Sequence, residues 1–437
     1  MTFAGKPSLR LRQALTILLL FGGYGALYFC RADLSVGTPL LIDDLGKHGV
    51  SHAHAIVHMG TIASLGVLAY ALGKLFLTGL GDFWGGRISF LIGLGGAAAF
   101  TLMFASGTAL PLFTIAWFGN RLTQSISWAG LIKVSSKWFD FSSYGTIIGI
   151  LSLSYLVGDA AARQWMGMLI ERGFGWQALF YFAAAVAGVF LIANGFFLRE
   201  SRTEAGYSEA KPNPLNLFAQ SESRPRSVAA LLLPLLRSRA FLLVCLLSLG
   251  CTIIRETFNI WTPVYMRDYL GYSTGTAARM SAIFPGVGVV SVLTAGWLSD
   301  RLGINGRPLI MLVGLAATAA ALLVLMSLPP GVSGSPLPLI AIGAIALCLL
   351  GPYSYLGGAM ALDFGGKQAG AASSGIIDGV GYLGAVVAGD SVARISVAFG
   401  WKGVFAGLAF VSALAALGAG CLYVFGAKAS AAGHHLP

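Results

Sequence analysis

Two arginines stand inside long apolar runs of this chain. Arg31 opens RADLSVGTP and Arg255 opens RETFNIWTP, so each is followed at the same distance by a Thr-Pro step, Thr38-Pro39 and Thr262-Pro263. A guanidinium at membrane depth costs a few kcal/mol unless it faces water or a partner. The neighbouring acids are Asp33, two residues after Arg31, and Glu256, one residue after Arg255. Neither spacing puts acid and base on one side of a helix. Two readings follow. Each arginine pairs with a carboxylate on another helix, or both project into a shared cavity and bind an anion. The planar, permanently charged fork suits phosphate or carboxylate.

Other polar groups could join them. Lys74, in ALGKLFLTGLGD, either reaches the same anion or snorkels to the membrane surface. Asn120, Gln124 and Trp128 follow one another at i,i+4 spacing and share a helix face, while Arg121 is offset and could pack between helices. Asp159 with Arg163 and Asp390 with Arg394 have ion-pair spacing and read as structural pairs. Asp378, in the Gly-rich IIDGVGYLG, has no base within a turn; it could bind a substrate hydroxyl, hold an arginine or carry a proton. Four histidines cluster in HGVSHAHAIVH (His48, His52, His54, His58), a composition open to adventitious metal binding. No catalytic apparatus and no Gly-Lys-Ser/Thr nucleotide loop occur, so no cofactor, resident metal or ATP is expected.

The elements that must position these groups are membrane spans. The 437 residues are 56% hydrophobic and 10% charged, too few charges to cover a water-soluble protein of this size. Apolar runs occupy 14–40, 56–80, 88–106, 110–133, 143–169, 176–198, 240–266, 276–298, 307–328, 337–362, 369–396 and 402–427. At roughly 20 residues per crossing these predict twelve transmembrane helices. The N-terminal run carries Arg31 and lacks a small-residue cleavage site, so it reads as a retained first helix. All five cysteines lie in apolar runs and read as small fillers. The net charge of +11 suggests nucleic acid only until its distribution is seen: the positive residues sit in short segments between spans. With a cytoplasmic N-terminus, 17 Lys and Arg fall inside and six outside, which places both termini in the cytoplasm.

A polar stretch from 199 to 239 separates two halves, 1–198 and 240–437, and reads as a cytoplasmic linker with LLLPLLRSR as a surface helix. The halves are repeats. Beside the Arg–Thr–Pro signature, GLGDFWGGR (Asp82, Arg87) corresponds to GWLSDRLGINGR (Asp300, Arg301, Arg307), and FGWQALF (Phe174–Phe180) to FGWKGVF (Phe399–Phe405). Arg31 to Trp176 is 145 residues and Arg255 to Trp401 is 146. Duplicated six-helix units place a substrate between the halves near the membrane midplane. The GxxxD turns read as charged latches between cytoplasmic helix ends.

Those turns resemble the signature loop of the major facilitator superfamily. Within it, GYGALYFCRADLSVGTPLL, ALGKLFLTGLGD, WFGNRLTQSISWAGLIKVSSKWF, CTIIRETFNIWTPVYM and GPYSYLGGAMALDF with IIDGVGYLGA resemble the organophosphate:phosphate antiporters, over residues 20–426. The resemblance implies an all-α membrane protein of two pseudo-symmetric six-helix halves that exchanges a phosphorylated metabolite for inorganic phosphate. It implies phosphate binding by Arg31 and Arg255, with Lys74 assisting. Tyr28, Gln124, Trp128, Tyr155, Asn259, Tyr355 and Asp378 complete the expected substrate set. Tyr155 stands where glycerol-3-phosphate antiporters carry a histidine, and the IIDG segment is closer to animal sugar-phosphate exchangers, which favours a sugar phosphate. The expected partners are inorganic phosphate, an organophosphate and the lipid bilayer, with no nucleic acid; the expected setting is a monomer in a bacterial inner membrane. The alternatives are a proton-coupled organic-anion or sugar transporter, with Asp378 or Asp159 as proton carrier, and a membrane sensor of sugar phosphate.

Overall fold

The computed structural model describes residues 8–77, 84–210, 228–302 and 306–431, and every regular element among them is a helix. In chain order these are α1 Leu9–Lys47, α2 His52–Phe76, α3 Gly86–Ala105, α4 Leu110–Gln124, α5 Ser127–Trp138, α6 Phe141–Ser152, α7 Ser154–Glu171, α8 Trp176–Phe197, α9 Val228–Arg237, α10 Arg239–Val264, α11 Thr274–Met280, α12 Ile283–Leu302, α13 Gly306–Ser327, α14 Leu337–Tyr355 and α15 Ala361–Ala431. Short π-helical turns, Tyr265–Tyr269 and Leu356–Met360, extend α10 and follow α14. Of the linker, α9 is described, and residues 211–227 lie outside the described set.

Among the described residues, ten helical stretches are long and apolar enough to cross a membrane. The difference from twelve has two local causes. The fourth apolar run is broken between α4 and α5, where the Ser125 hydroxyl donates to the Leu122 carbonyl at 2.6 Å and tightens the turn. The last two runs share α15, whose 71 residues would extend about 106 Å if straight. They do not. Gly400 has φ 68, a left-handed conformation that ends an α-helix. On either side of it the chain lies along the same stretch of α10: Gly384 is against Leu249, and Ala415 is against Gly250. The chain therefore folds back at Gly400, and α15 comprises two antiparallel spans.

The described residues form two compact units. One contains the chain up to Leu34 with 65–210; the other contains Ser35–Ser64 with 228–431. Small residues let helices approach within the first unit: a Cβ on Gly158 would meet the Gly25 Cα at 2.6 Å. Matched aromatic anchors fix both units. In the first, Trp176 and Phe180 pack 5.9 Å apart, and Phe180 stacks on Phe104 at 4.4 Å. In the second, Trp401 and Phe405 pack 6.2 Å apart, and Phe405 meets Tyr265 at 4.8 Å. The repeated FGW segments thus do the same work in each half.

Asp82 and the side chain of Asp300, expected latch residues, lie outside what is described. Their repeat companions Arg87 and Arg307 tie helix ends together. Arg87 donates to the Gly195 carbonyl at 2.6 Å, and Arg307 holds both oxygens of Asp363, at 2.7 and 2.6 Å. The start of α3 has glycines at its cap and no capping side chain of its own. Glu200, just past α8, supplies the cap: its carboxylate accepts the N–H groups of Gly86 and Arg87 at 2.9 and 2.6 Å, and the Lys137 ammonium at 2.6 Å. Partial burial works against the Glu200 anion. Lys137 and the two N–H groups outweigh it and hold the carboxyl below the ordinary glutamate value. A carboxyl depressed by folding stabilises the folded state above its unfolded pKa, and that contribution is lost as pH falls through the folded one. Glu200→Gln is therefore expected to lower the melting temperature in detergent at pH 7, with the gap to wild type closing as pH falls below about 4.5. A gap that stays constant with pH overturns this account.

Candidate functional site

The first unit gathers cations around one ring. The Arg31 guanidinium lies 4.5 Å from the Tyr70 centroid, that of Arg121 lies 5.0 Å away, and the Lys74 ammonium 5.5 Å. Lys74 and Tyr70 stand one helical turn apart on α2, so the lysine joins this group. The three charges are thus within about 10 Å of one another. At an effective dielectric of ~20 each pair repels by about 2 kcal/mol. Cation–π contact with Tyr70 offsets part of this, on the order of 1 kcal/mol per cation.

Arg31 is oriented by named partners. Its Nε donates to Gln124 Oε1 at 2.7 Å, and a terminal nitrogen donates to the Tyr28 hydroxyl at 3.0 Å. Gln124 is itself fixed: its amide donates to Asn120 Oδ1 at 2.5 Å and to the Cys30 carbonyl at 3.3 Å, and Asn120 donates to Thr101 Oγ1 at 2.8 Å. The expected α4 face is therefore a relay that holds the arginine. Tyr155 packs 5.6 Å from Tyr28, Tyr28 is 5.8 Å from Tyr24, and Trp128 is 5.1 Å from Tyr24. Tyr28, Gln124, Trp128 and Tyr155 thus form one aromatic and amide wall beside Arg31.

The second unit treats its arginine differently. Arg255 bonds Glu256 Oε1 at 2.5 Å, and Asn259 Nδ2 donates to the same oxygen at 3.3 Å. This corrects the expectation from helix spacing that Glu256 faces away. Adjacent residues diverge by about 100°, yet both side chains are long, and partial burial makes an unpaired charge expensive enough to bend them together. The Arg255 guanidinium also lies 4.5 Å over the Tyr353 ring. The Tyr353 phenol lies within electrostatic reach of Arg255, Asp378 and Glu256. Asp378 sits against Gly357, where a Cβ would meet its Oδ1 at 2.6 Å. Asn259 and Asp378 therefore belong to the Arg255 neighbourhood. Tyr355 is placed elsewhere: buried, its hydroxyl donates to the Ala295 carbonyl at 2.5 Å.

The two spaced ion pairs form as expected, Asp159 with Arg163 at 2.9 Å and Asp390 with Arg394 at 2.7 Å. Among the described residues no group of three or more His, Cys, Asp or Glu is arranged to hold a metal. His52 pairs with Asp268 at 3.3 Å, and His54 bonds Ser51 at 2.9 Å. Sequence reasoning missed Tyr70 and Tyr353. The Tyr70–Lys74 turn spacing was a usable signal for the first. The second was one of two tyrosines in GPYSY, with nothing to separate them.

Such a cluster can bind an anion with bidentate and cation contacts, against an aromatic wall that accommodates an organic moiety. Gln124→Leu would leave the Arg31 Nε and Asn120 without their partner. It is expected to weaken anion affinity about tenfold, read as a smaller phosphate-dependent rise in melting temperature; an unchanged rise would remove Gln124 from the orienting role.

The profile described as Major Facilitator Superfamily matches residues 20–389. A probable hexose phosphate transport protein of Chlamydia trachomatis is 24% identical over 410 residues, covering 89% of this chain and 86% of that one. A glycerol-3-phosphate transporter of Bacillus subtilis is 22% identical over 396 residues, covering 88% and 86%. The solved structure of a D-xylose-proton symporter superposes with a TM-score of 0.72 at 14% identity, covering 94% of this chain and 97% of that one, a likeness of fold.

Proposed function

The chain belongs to the Major Facilitator Superfamily, and on that premise we propose that it exchanges a phosphorylated metabolite, a sugar phosphate or glycerol phosphate, for inorganic phosphate by alternating access. It is a multi-pass membrane transporter, not an enzyme. The observation that carries the exchange reading is the gathering of Arg31, Arg121 and Lys74 around Tyr70 at membrane depth, a group whose mutual repulsion an anion relieves. The relatives named for hexose phosphate and glycerol-3-phosphate transport supply the class of anion. Low identity leaves the organic group to this chain's own residues.

In this reading Arg31 and Arg255, at repeat-related positions, fork onto one phosphoryl group, with Lys74 as a third contact. Tyr28, Trp128 and Tyr155 pack against the organic moiety. Asn259 and Asp378 accept or donate to its hydroxyls, and Gln124 orients Arg31. Tyr355 supports the helix that presents Tyr353. The charge bias of the loops supports the reading of a carrier with both termini in the cytoplasm, working as a monomer in a bacterial inner membrane.

Exchange follows from the electrostatics. A phosphate dianion cancels two positive charges, so the loaded carrier interconverts more readily than the empty one, whose clustered cations still repel one another. Proteoliposomes loaded with phosphate should take up external labelled phosphate at least several-fold faster than empty ones. Arg31→Lys and Arg255→Lys should each weaken phosphate binding roughly ten- to a hundredfold, because lysine keeps the charge and loses the fork. Equal uptake into empty and loaded vesicles refutes exchange. Near-normal phosphate binding by either lysine variant refutes the shared phosphoryl contact.

A further inference from the structure

Arg255 comes with a partner already in place. A terminal nitrogen of its guanidinium donates to Glu256 Oε1 at 2.5 Å, and both side chains keep some exposure, 17% for the arginine and 13% for the acid. An ion pair that is not sealed can be opened by a charged ligand arriving from water. The repeat supplies the contrast. Where the second half has Glu256 after Arg255, the first has Ala32 after Arg31, and Arg31 donates to an amide and a phenol. The Glu256 oxygen that meets Arg255 also accepts from Asn259 Nδ2, at 3.3 Å. Glu256 and Asn259 are three residues apart and share a face of α10, whereas adjacent residues such as Arg255 and Glu256 point about 100° apart. The carboxylate thus has a charged partner that it bends to reach and a neutral one on its own face.

We propose that Glu256 is an internal competitor for Arg255, which lowers the affinity for the transported anion and speeds its release. The inference rests on the exchange reading, in which the anion takes the Arg255 fork. Glu256 opposes that contact twice: its carboxylate holds one terminal nitrogen of the fork, and its charge repels the incoming anion. When the anion binds, the carboxylate returns to its own face of α10, where Asn259 keeps a hydrogen bond to it. When the anion loosens, Glu256 recaptures Arg255 without a diffusional search, because it is tethered one residue away. Affinity differences act mostly through the rate of departure, so a tethered competitor shortens the time an anion stays on this arginine. Ala32 at the repeat position leaves Arg31 without such a neighbour. Arg31 is then the constant hold on the anion and Arg255 the releasable one.

The test compares wild type with Glu256→Gln, which keeps the shape and removes the charge, with inorganic phosphate as the probe. Titration calorimetry on the full chain in detergent gives the affinity, and phosphate-loaded proteoliposomes give the exchange rate at saturating phosphate. Glu256→Gln is expected to bind phosphate about tenfold more tightly and to exchange it more slowly at saturation. A role limited to orienting Arg255 predicts the opposite sign, weaker binding. Should Glu256→Gln fail to fold, Glu256→Asp serves: one methylene shorter, it draws the carboxylate back from Arg255, and phosphate should bind several-fold more tightly. Unchanged or weaker phosphate affinity in the folded variant overturns the competition and leaves exchange standing. Tighter binding with an undiminished exchange rate overturns the release role. Absence of phosphate binding by wild type overturns the exchange reading and this inference with it.

Discussion

Charge placed in a medium that cannot solvate it is the constraint on which this molecule turns. A chain with so few ionisable groups has set several of them at membrane depth, where each must find a cation, a carboxylate, a ring or a ligand. In the first unit three cations share the Tyr70 ring, which offsets part of their mutual repulsion. The helices, the glycine contacts and the amide relay through Gln124 and Asn120 exist in the same volume, and they keep the cations from escaping toward solvent.

Duplication makes the contrast between the units informative. Arg31 and Arg255 descend from equivalent positions, and both lie over a tyrosine ring, at 4.5 Å in each case. Their surroundings then diverge. Arg255 carries its own acid, Glu256, with Asp378 interacting with the same tyrosine, so this arginine has a carboxylate partner before any ligand arrives. Arg31 is met by an amide and a phenol, which orient without neutralising.

The parts of this that were legible in the sequence are those set by periodicity and repetition. Apolar runs of span length became helices, and the matched FGW segments became matched aromatic anchors. Arg31, Gln124 and Lys74 came together because each was identifiable from its own helix. What was not legible depends on contacts between distant segments or on side-chain reach. Glu200 caps a helix that begins 114 residues earlier, a pairing with no local signature. Glu256 bends to Arg255 because burial rewards pairing more than helix geometry opposes it, so a rule drawn from exposed helices failed there. Tyr353 and Tyr355 differ by two positions, about 200° around a helix. The helix sends one phenol to the arginine and the other to a backbone carbonyl, and only packing decides which.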